Sequence, residues 1–227
     1  MKNKFVFLII AGNDDVVTKL EGDRFLHFEN ISRQYFNIMK NIYVFEYYFI
    51  KYSDSITKDI ELDNNCILLK GKEGFSKIYE KTIKGINFIN SIMSYDYLIR
   101  TNLSSFWNLE YLYSHLKLPE TECFSGIYVF NSFISGTGII MSRDVCNVLV
   151  TKPYIQNTSD DVLISNHLKR HFQVTKLNDK LMFYLTKDTD KIPSNIDDIL
   201  YFRVKNSNNR EVDCKNFDII FRKLCKK

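Results

Sequence analysis

The chain predicts an α/β protein with a mixed, mostly parallel central sheet flanked by helices. Three observations lead there. Short apolar runs alternate with helical periodicities through the first hundred residues. The first run, Phe5 to Ile10, is apolar without interruption, as a strand buried on both faces is. With 8 Gly and 3 Pro, the chain is poor in the residues that a protein of many tight turns needs.

Residues 4–10 read as the first buried strand. Ile31, Tyr35, Ile38 and Met39 place a helix over 30–40, and β-branched and aromatic residues make Tyr43 to Ile50 a second strand. The polar stretch 54–64 reads as a loop, and Cys66 to Leu69 as a third strand. Phe75, Tyr79, Ile83, Ile86, Ile89 and Met93 form the clearest amphipathic helix. A strand from Tyr95 to Arg100 follows, then a short helix after Asn108 carrying Leu109, Leu112 and Leu116. Gly126 to Ile134 reads as a strand, Ser135-Gly136-Thr137-Gly138 as a turn, and Ile139 to Met141 as a strand. Ser142 caps a helix with Val145, Val148 and Leu149 inward, ended before Pro153. A helix over 160–171 buries Ile164, Leu168 and Phe172. Leu181 to Leu185 and Ile199 to Val204 read as strands, and Phe217, Phe221 and Leu224 as a closing helix.

No linker divides the chain, so residues 1–227 are expected to form a single domain. Hydrophobic residues at 45% exclude a disordered chain. A net charge of +4 with no long basic run gives no footprint for nucleic acid. No stretch approaches the roughly 20 apolar residues of a membrane span. Phe5 to Ile10 is too short for a signal-peptide core and lacks a small-residue cleavage site after it. These features fit a cytoplasmic protein, with any membrane association peripheral. Cys66, Cys123, Cys146, Cys214 and Cys225 show no C-x-x-C spacing, so free thiols are expected.

Several constellations admit two readings. Asp160-Asp161 behind Thr158-Ser159 is either acidic first-turn charge on a capped helix or a general base. Ser135-Gly136-Thr137-Gly138 lets a backbone approach a ligand, but a turn alone explains it and it lacks the dinucleotide fingerprint's third glycine. His167 and His171 share a helix face, yet Lys169 and Arg170 beside them oppose a metal. Trp107 is either a stacking platform for a sugar or base, or core. Arg203, Lys205 and Arg210 flank the polar Asn206-Ser207-Asn208-Asn209, which is a solvated turn or a diphosphate site. In open α/β sheets the ligand lies beyond the carboxyl ends of the strands. That nominates Ala11-Gly12, Arg100-Thr101-Asn102 and the Gly136 segment.

Taken in order, these segments resemble glycosyltransferases of the GT-A fold, a Rossmann-like α/β architecture, and most of all the beta-1,3-galactosyltransferase and Fringe group. Lys81-Thr82 followed by Tyr95-Asp96-Tyr97-Leu98-Ile99-Arg100-Thr101 is similar to that group's K-T helix and Y-D-(hydrophobic)-K-T strand. Phe133 to Ser142 resembles its S-G-x-G-Y-hydrophobic-S segment, and Asp160-Asp161-Val162 its E-D-V. One departure stands out. Where the group carries its D-x-D acids, this chain has Thr101-Asn102-Leu103-Ser104-Ser105.

The resemblance implies an inverting transferase moving sugar from a nucleotide sugar, a UDP-sugar, to a glycan hydroxyl. Asp161 would be the base, with Asp160 beside it. Ala11 and Gly12 would flank the nucleotide, and Asn102 and Ser104 would meet ribose or diphosphate. Gly136 and Gly138 would approach donor or acceptor, and Trp107 would carry the acceptor. Arg203, Lys205 and Arg210, with Arg100 as a weaker candidate, would replace a metal on the diphosphate. No cofactor is then required; weakly held Mn2+ or Mg2+ is the alternative, since hard cations want carboxylate oxygens. A binding module of the same fold without turnover, and a nucleotidyltransferase on a related sheet, are the rival expectations.

Overall fold

A computed structural model describes residues 3–12, 19–151, 159–206 and 209–226. An eight-stranded sheet runs in the order β3 (Ile60–Asp63), β4 (Cys66–Lys70), β2 (Phe45–Ser53), β1 (Phe5–Ile10), β5 (Tyr97–Asn102), β8 (Phe133–Ser142), β7 (Phe124–Val129), β9 (Val174–Leu177). Its centre is parallel: β1 lies between β2 and β5, and β4 extends the set beyond β2. Strand β8 pairs antiparallel with β5 and with β7, and β9 closes that edge parallel to β7. The expected mixed, mostly parallel α/β sheet is therefore present.

The continuous apolar run of β1 has a simple cause: both faces of the strand are covered. Phe5, Phe7 and Ile9 enter one core, and Val6, Leu8 and Ile10 the other. Helices α2 (Ile78–Ile92), α4 (Arg143–Leu149) and α5 (Asp160–Leu168) pack on the second face. Helix α2 comes so close that a Cβ on Gly85 would stand 2.9 Å from the methyls of Leu8 and Ile50. The first face carries α1 (Lys19–Met39), α3 (Leu109–Ser114), α6 (Arg210–Leu224) and a small sheet. That sheet joins β10 (Met182–Leu185), β11 (Tyr201–Val204) and β6 (Ser105–Trp107). Its role is positional: β6–β11 pairing carries Arg203 directly opposite Ser105, next to the end of β5.

Five expectations are corrected. The first helix begins at Lys19, well before residue 30. The stretch 54–64 contains β3 (Ile60–Asp63), turned onto β4 through Asn64 and Asn65 at φ 43° and 58°, a conformation asparagine tolerates. The strand expected over 126–134 is a hairpin, broken at Phe130 and Asn131, both at φ 50°. Residues 135–138 are no turn but lie inside β8. The register with β7 breaks there: Gly126 faces Ile139 while Tyr128 faces Ile134, so β8 bulges between them. Helix α5 ends at Leu168, which leaves His171 beyond it.

Candidate active site

A cleft of about 390 Å³ opens where β1 and β5 end. It is lined by Ile10 and the following Ala11 and Gly12 at the end of β1, and by Asn102 and the following Leu103 and Ser104 at the end of β5. Arg203 reaches it from β11 and Lys205 from just beyond that strand, Arg210 from the start of α6, and Lys81 from α2. Seven of the residues nominated from the sequence are thus brought together: Ala11, Gly12, Asn102, Ser104, Arg203, Lys205 and Arg210.

Four cations line the cleft, and among the described lining residues Glu73 is the one acid. Their environments differ. Lys81 is 2% exposed; its Nζ donates to the Ala11 carbonyl at 2.6 Å and pairs with Glu73 Oε2 at 2.7 Å. Glu73 is held in turn by the Tyr52 backbone N–H at 2.7 Å. Burial pulls the Lys81 ammonium down from its ordinary pKa, and Glu73 opposes that. Arg203 Nη1 donates to Ser104 Oγ. Burial, with Arg210 and Arg100 nearby, pulls its guanidinium down to about 10. Lys205 is lowered too, by burial and by Arg203 and Arg210. Arg210 is anchored by Asp213 at 2.5 Å, and Asp213 also takes the Asn206 backbone N–H. Cations that depress one another are stabilised by an anion placed among them.

Asn102 and Ser104 do not fit a divalent cation. Asn102 Oδ1 accepts from Arg100 Nη1 at 2.8 Å, and Ser104 Oγ accepts from Arg203. Both oxygens face guanidinium groups, and no cluster of three His, Cys, Asp or Glu suited to a metal occurs among the described residues. Neutral oxygens beside positive charge are a poor donor set for a hard cation.

A second group of residues lies beside the cleft rather than in its lining. Arg100 is 1% exposed and pairs with Asp160 at 2.5 Å. Burial pushes the Asp160 carboxyl up; Arg100 opposes this and Asp161 adds to it. Asp161 is half-buried on the first turn of α5. Its Oδ2 accepts the Gly136 N–H at 3.0 Å and its Oδ1 the Val162 N–H at 2.9 Å. Ser159 takes the N-cap position without a side-chain cap bond, and Thr158 lies outside the described residues.

Two glycines and the tryptophan acquire different roles from those expected. Trp107 is 1% exposed, stacks on Tyr201 at 4.6 Å and donates its indole N–H to Thr101 Oγ1 at 2.9 Å. A buried indole cannot carry an acceptor, so that assignment is corrected to core. Gly138 belongs with it: a Cβ there would stand 2.8 Å from the Trp107 ring. Gly136 is crowded by Arg100 Nη1 and Asp161 Cβ, at 2.8 and 3.2 Å from its would-be Cβ. Both are small because protein, not ligand, occupies the space. Arg100 is likewise placed on Asp160 rather than in the cleft lining. His167 and His171 stack edge to face at 5.2 Å, away from any such cluster.

Lys81 and Glu73 are the charged cleft residues not nominated as site residues from the sequence. Lys81 borders the buried stripe Thr82, Gly85, Ile86 and Ile89, and that position is the signal that could have found it.

No protein-family model and no curated protein matches the sequence. Solved structures do match the fold. One is a glycosyltransferase involved in glycosylating the major capsid of PBCV-1, at TM-score 0.54 and 11% identity, covering 94% of this chain and 99% of that one. A second is the inositol-1-phosphate CTP transferase from T. maritima, at TM-score 0.51 and 10% identity over 96% and 97%. A third is the galactosyltransferase LgtC in complex with donor and acceptor sugar analogues, at TM-score 0.51 and 8% identity over 96% and 95%. At these identities the likeness concerns architecture, and the chain has the GT-A-like fold that the sequence predicts.

Proposed function

We propose that this chain is a glycosyltransferase that takes a sugar from a nucleotide-sugar donor, a UDP-sugar, to a glycan hydroxyl. The observation that carries the reading is the cleft at the carboxyl ends of β1 and β5, where Lys81, Arg203, Lys205 and Arg210 converge. This is where an open α/β sheet binds its ligand, and its charge suits a diphosphate. The guanidinium groups facing Asn102 and Ser104 support a donor site that works without metal.

The chemistry is a single displacement. Asp161 takes the proton of the acceptor hydroxyl; the oxygen attacks the anomeric carbon from the face opposite the diphosphate. The bond to the diphosphate breaks, its charge grows, and Arg203, Lys205 and Arg210 stabilise it. The configuration inverts. Asp161 is the better base of the pair because Asp160 is committed to Arg100. A carboxylate has about four acceptor positions, and the hydrogen bonds of Asp161 to Gly136 and Val162 leave capacity for a hydroxyl. The resemblance of Asp160-Asp161-Val162 to the E-D-V of the Fringe group supports the same choice.

Donor consumption tests the reading. Incubation with a panel of UDP-sugars and glycan acceptors is expected to release UDP only when acceptor is present. Binding without consumption would leave a nucleotide-sugar-binding module. Release of pyrophosphate would make the protein a nucleotidyltransferase.

A further inference from the structure

We infer that Arg100 is a positioning residue that ties the wall of the donor cleft to the carboxylates of α5; the inference rests on the glycosyl-transfer reading. Arg100 leaves β5 buried, at 1% exposure. Its Nη1 donates to Asn102 Oδ1, a cleft-lining atom group, at 2.8 Å, and also to the Gly136 carbonyl in the bulge of β8. Its Nη2 holds Asp160 at 2.5 Å. On the other side of the same glycine, the Gly136 N–H is held by Asp161 Oδ2 at 3.0 Å. One planar fork therefore touches the donor wall, the β8 bulge and the helix turn that carries the base.

Three features separate this arrangement from ordinary core packing. Burying an ion pair is a weak way to gain stability, so its presence needs another explanation. The Arg100 Nε is buried with no hydrogen-bond partner, so the guanidinium is not placed for its own satisfaction. The glycine at 136 is the residue that lets Arg100 and Asp161 close on the backbone together, since a Cβ would meet both. A donor that engages Asn102 acts on a side chain already bonded to Arg100, and Arg100 contacts both the Asp160 carboxylate and the carbonyl of Gly136, the residue whose N–H Asp161 holds.

The test compares Arg100→Lys, Asp160→Asn, their combination, and Gly136→Ala. Lysine keeps the charge but lacks the fork that reaches three partners. Arg100→Lys is expected to lower kcat on the order of 10²-fold, the scale of a misplaced reacting group, with donor Kd within about twofold of wild type. Gly136→Ala is expected to show the same split. The double variant Arg100→Lys/Asp160→Asn is expected to be no slower than Arg100→Lys alone, because the two residues act as one unit. Amide exchange supplies a readout independent of turnover: UDP is expected to change protection at Gly136 in wild type but not in Arg100→Lys. Unchanged kcat in Arg100→Lys, parallel loss of kcat and donor affinity, or additive losses in the double variant would overturn the inference. A wild-type protein that binds UDP without transferring sugar removes the transfer reading alone, and the exchange result then decides this one. A wild-type protein that binds no nucleotide overturns both.

Discussion

Asp161→Asn is expected to lower turnover by about 10²–10⁴-fold, the range for loss of a general base, while donor affinity stays within about twofold. The split follows from the geometry. Asp161 sits on the first turn of α5, outside the lining of the cleft where the diphosphate cations converge. Asparagine has the shape of the carboxylate but takes no proton. Both Asp161 oxygens accept backbone N–H groups, so the amide forfeits one bond, a loss of about 0.5–1.5 kcal/mol in stability. Steady-state rates at saturating donor, set beside donor calorimetry, check both halves. An active Asp161→Asn enzyme would remove the base assignment and move attention to Asp160.

Arg203→Ala is expected to have the opposite signature: donor Kd rises about 10- to 100-fold, the value of a hydrogen bond to a charged group of about 1.5–3 kcal/mol. The fold fixes where Arg203 stands. Strand β11 carries it, β6 pairs against that strand, and Ser104 Oγ receives its Nη1. Burial and the neighbouring guanidinium groups bring it down to about 10, so it remains charged at neutral pH while its charge is unfavourable without an anion. An anionic donor relieves that cost, and alanine removes the relief. Titration of UDP into Arg203→Ala and wild type measures the change. Equal affinities would place the diphosphate elsewhere than between Arg203, Lys205 and Arg210.

The strands that position the cleft were legible because each is largely buried: β1 is apolar throughout, and β2 and β5 carry the aromatic and aliphatic stretches Tyr47–Ile50 and Tyr97–Ile99. The edges were not. Strand β3 is four residues with none buried (Leu62 is 47% exposed), and β9 is four residues, mostly half-buried, so neither is long or apolar enough to stand out from a loop. The cation set 203, 205 and 210 was visible as clustered charge, whereas Lys81 lies more than a hundred residues away and its burial is a tertiary fact. The same holds for Trp107 and Gly138. A tryptophan after a strand and a glycine in a small-residue segment each admit a ligand or a neighbour, and only the approach of β6 to β8 decides for the neighbour. Arg100 runs the other way: its sequence position suggested a phosphate contact, and its side chain pairs with Asp160 of α5 instead.

The most direct measurement of the central claim is calorimetry of a UDP-sugar with the wild-type protein in excess chelator, repeated with added manganese. A donor site built from Lys81, Arg203, Lys205 and Arg210 predicts binding in chelator that manganese leaves unchanged. Binding that appears only with manganese would contradict it, because the diphosphate would then be held through a metal for which Asn102 and Ser104, each turned to an arginine, offer no suitable ligands.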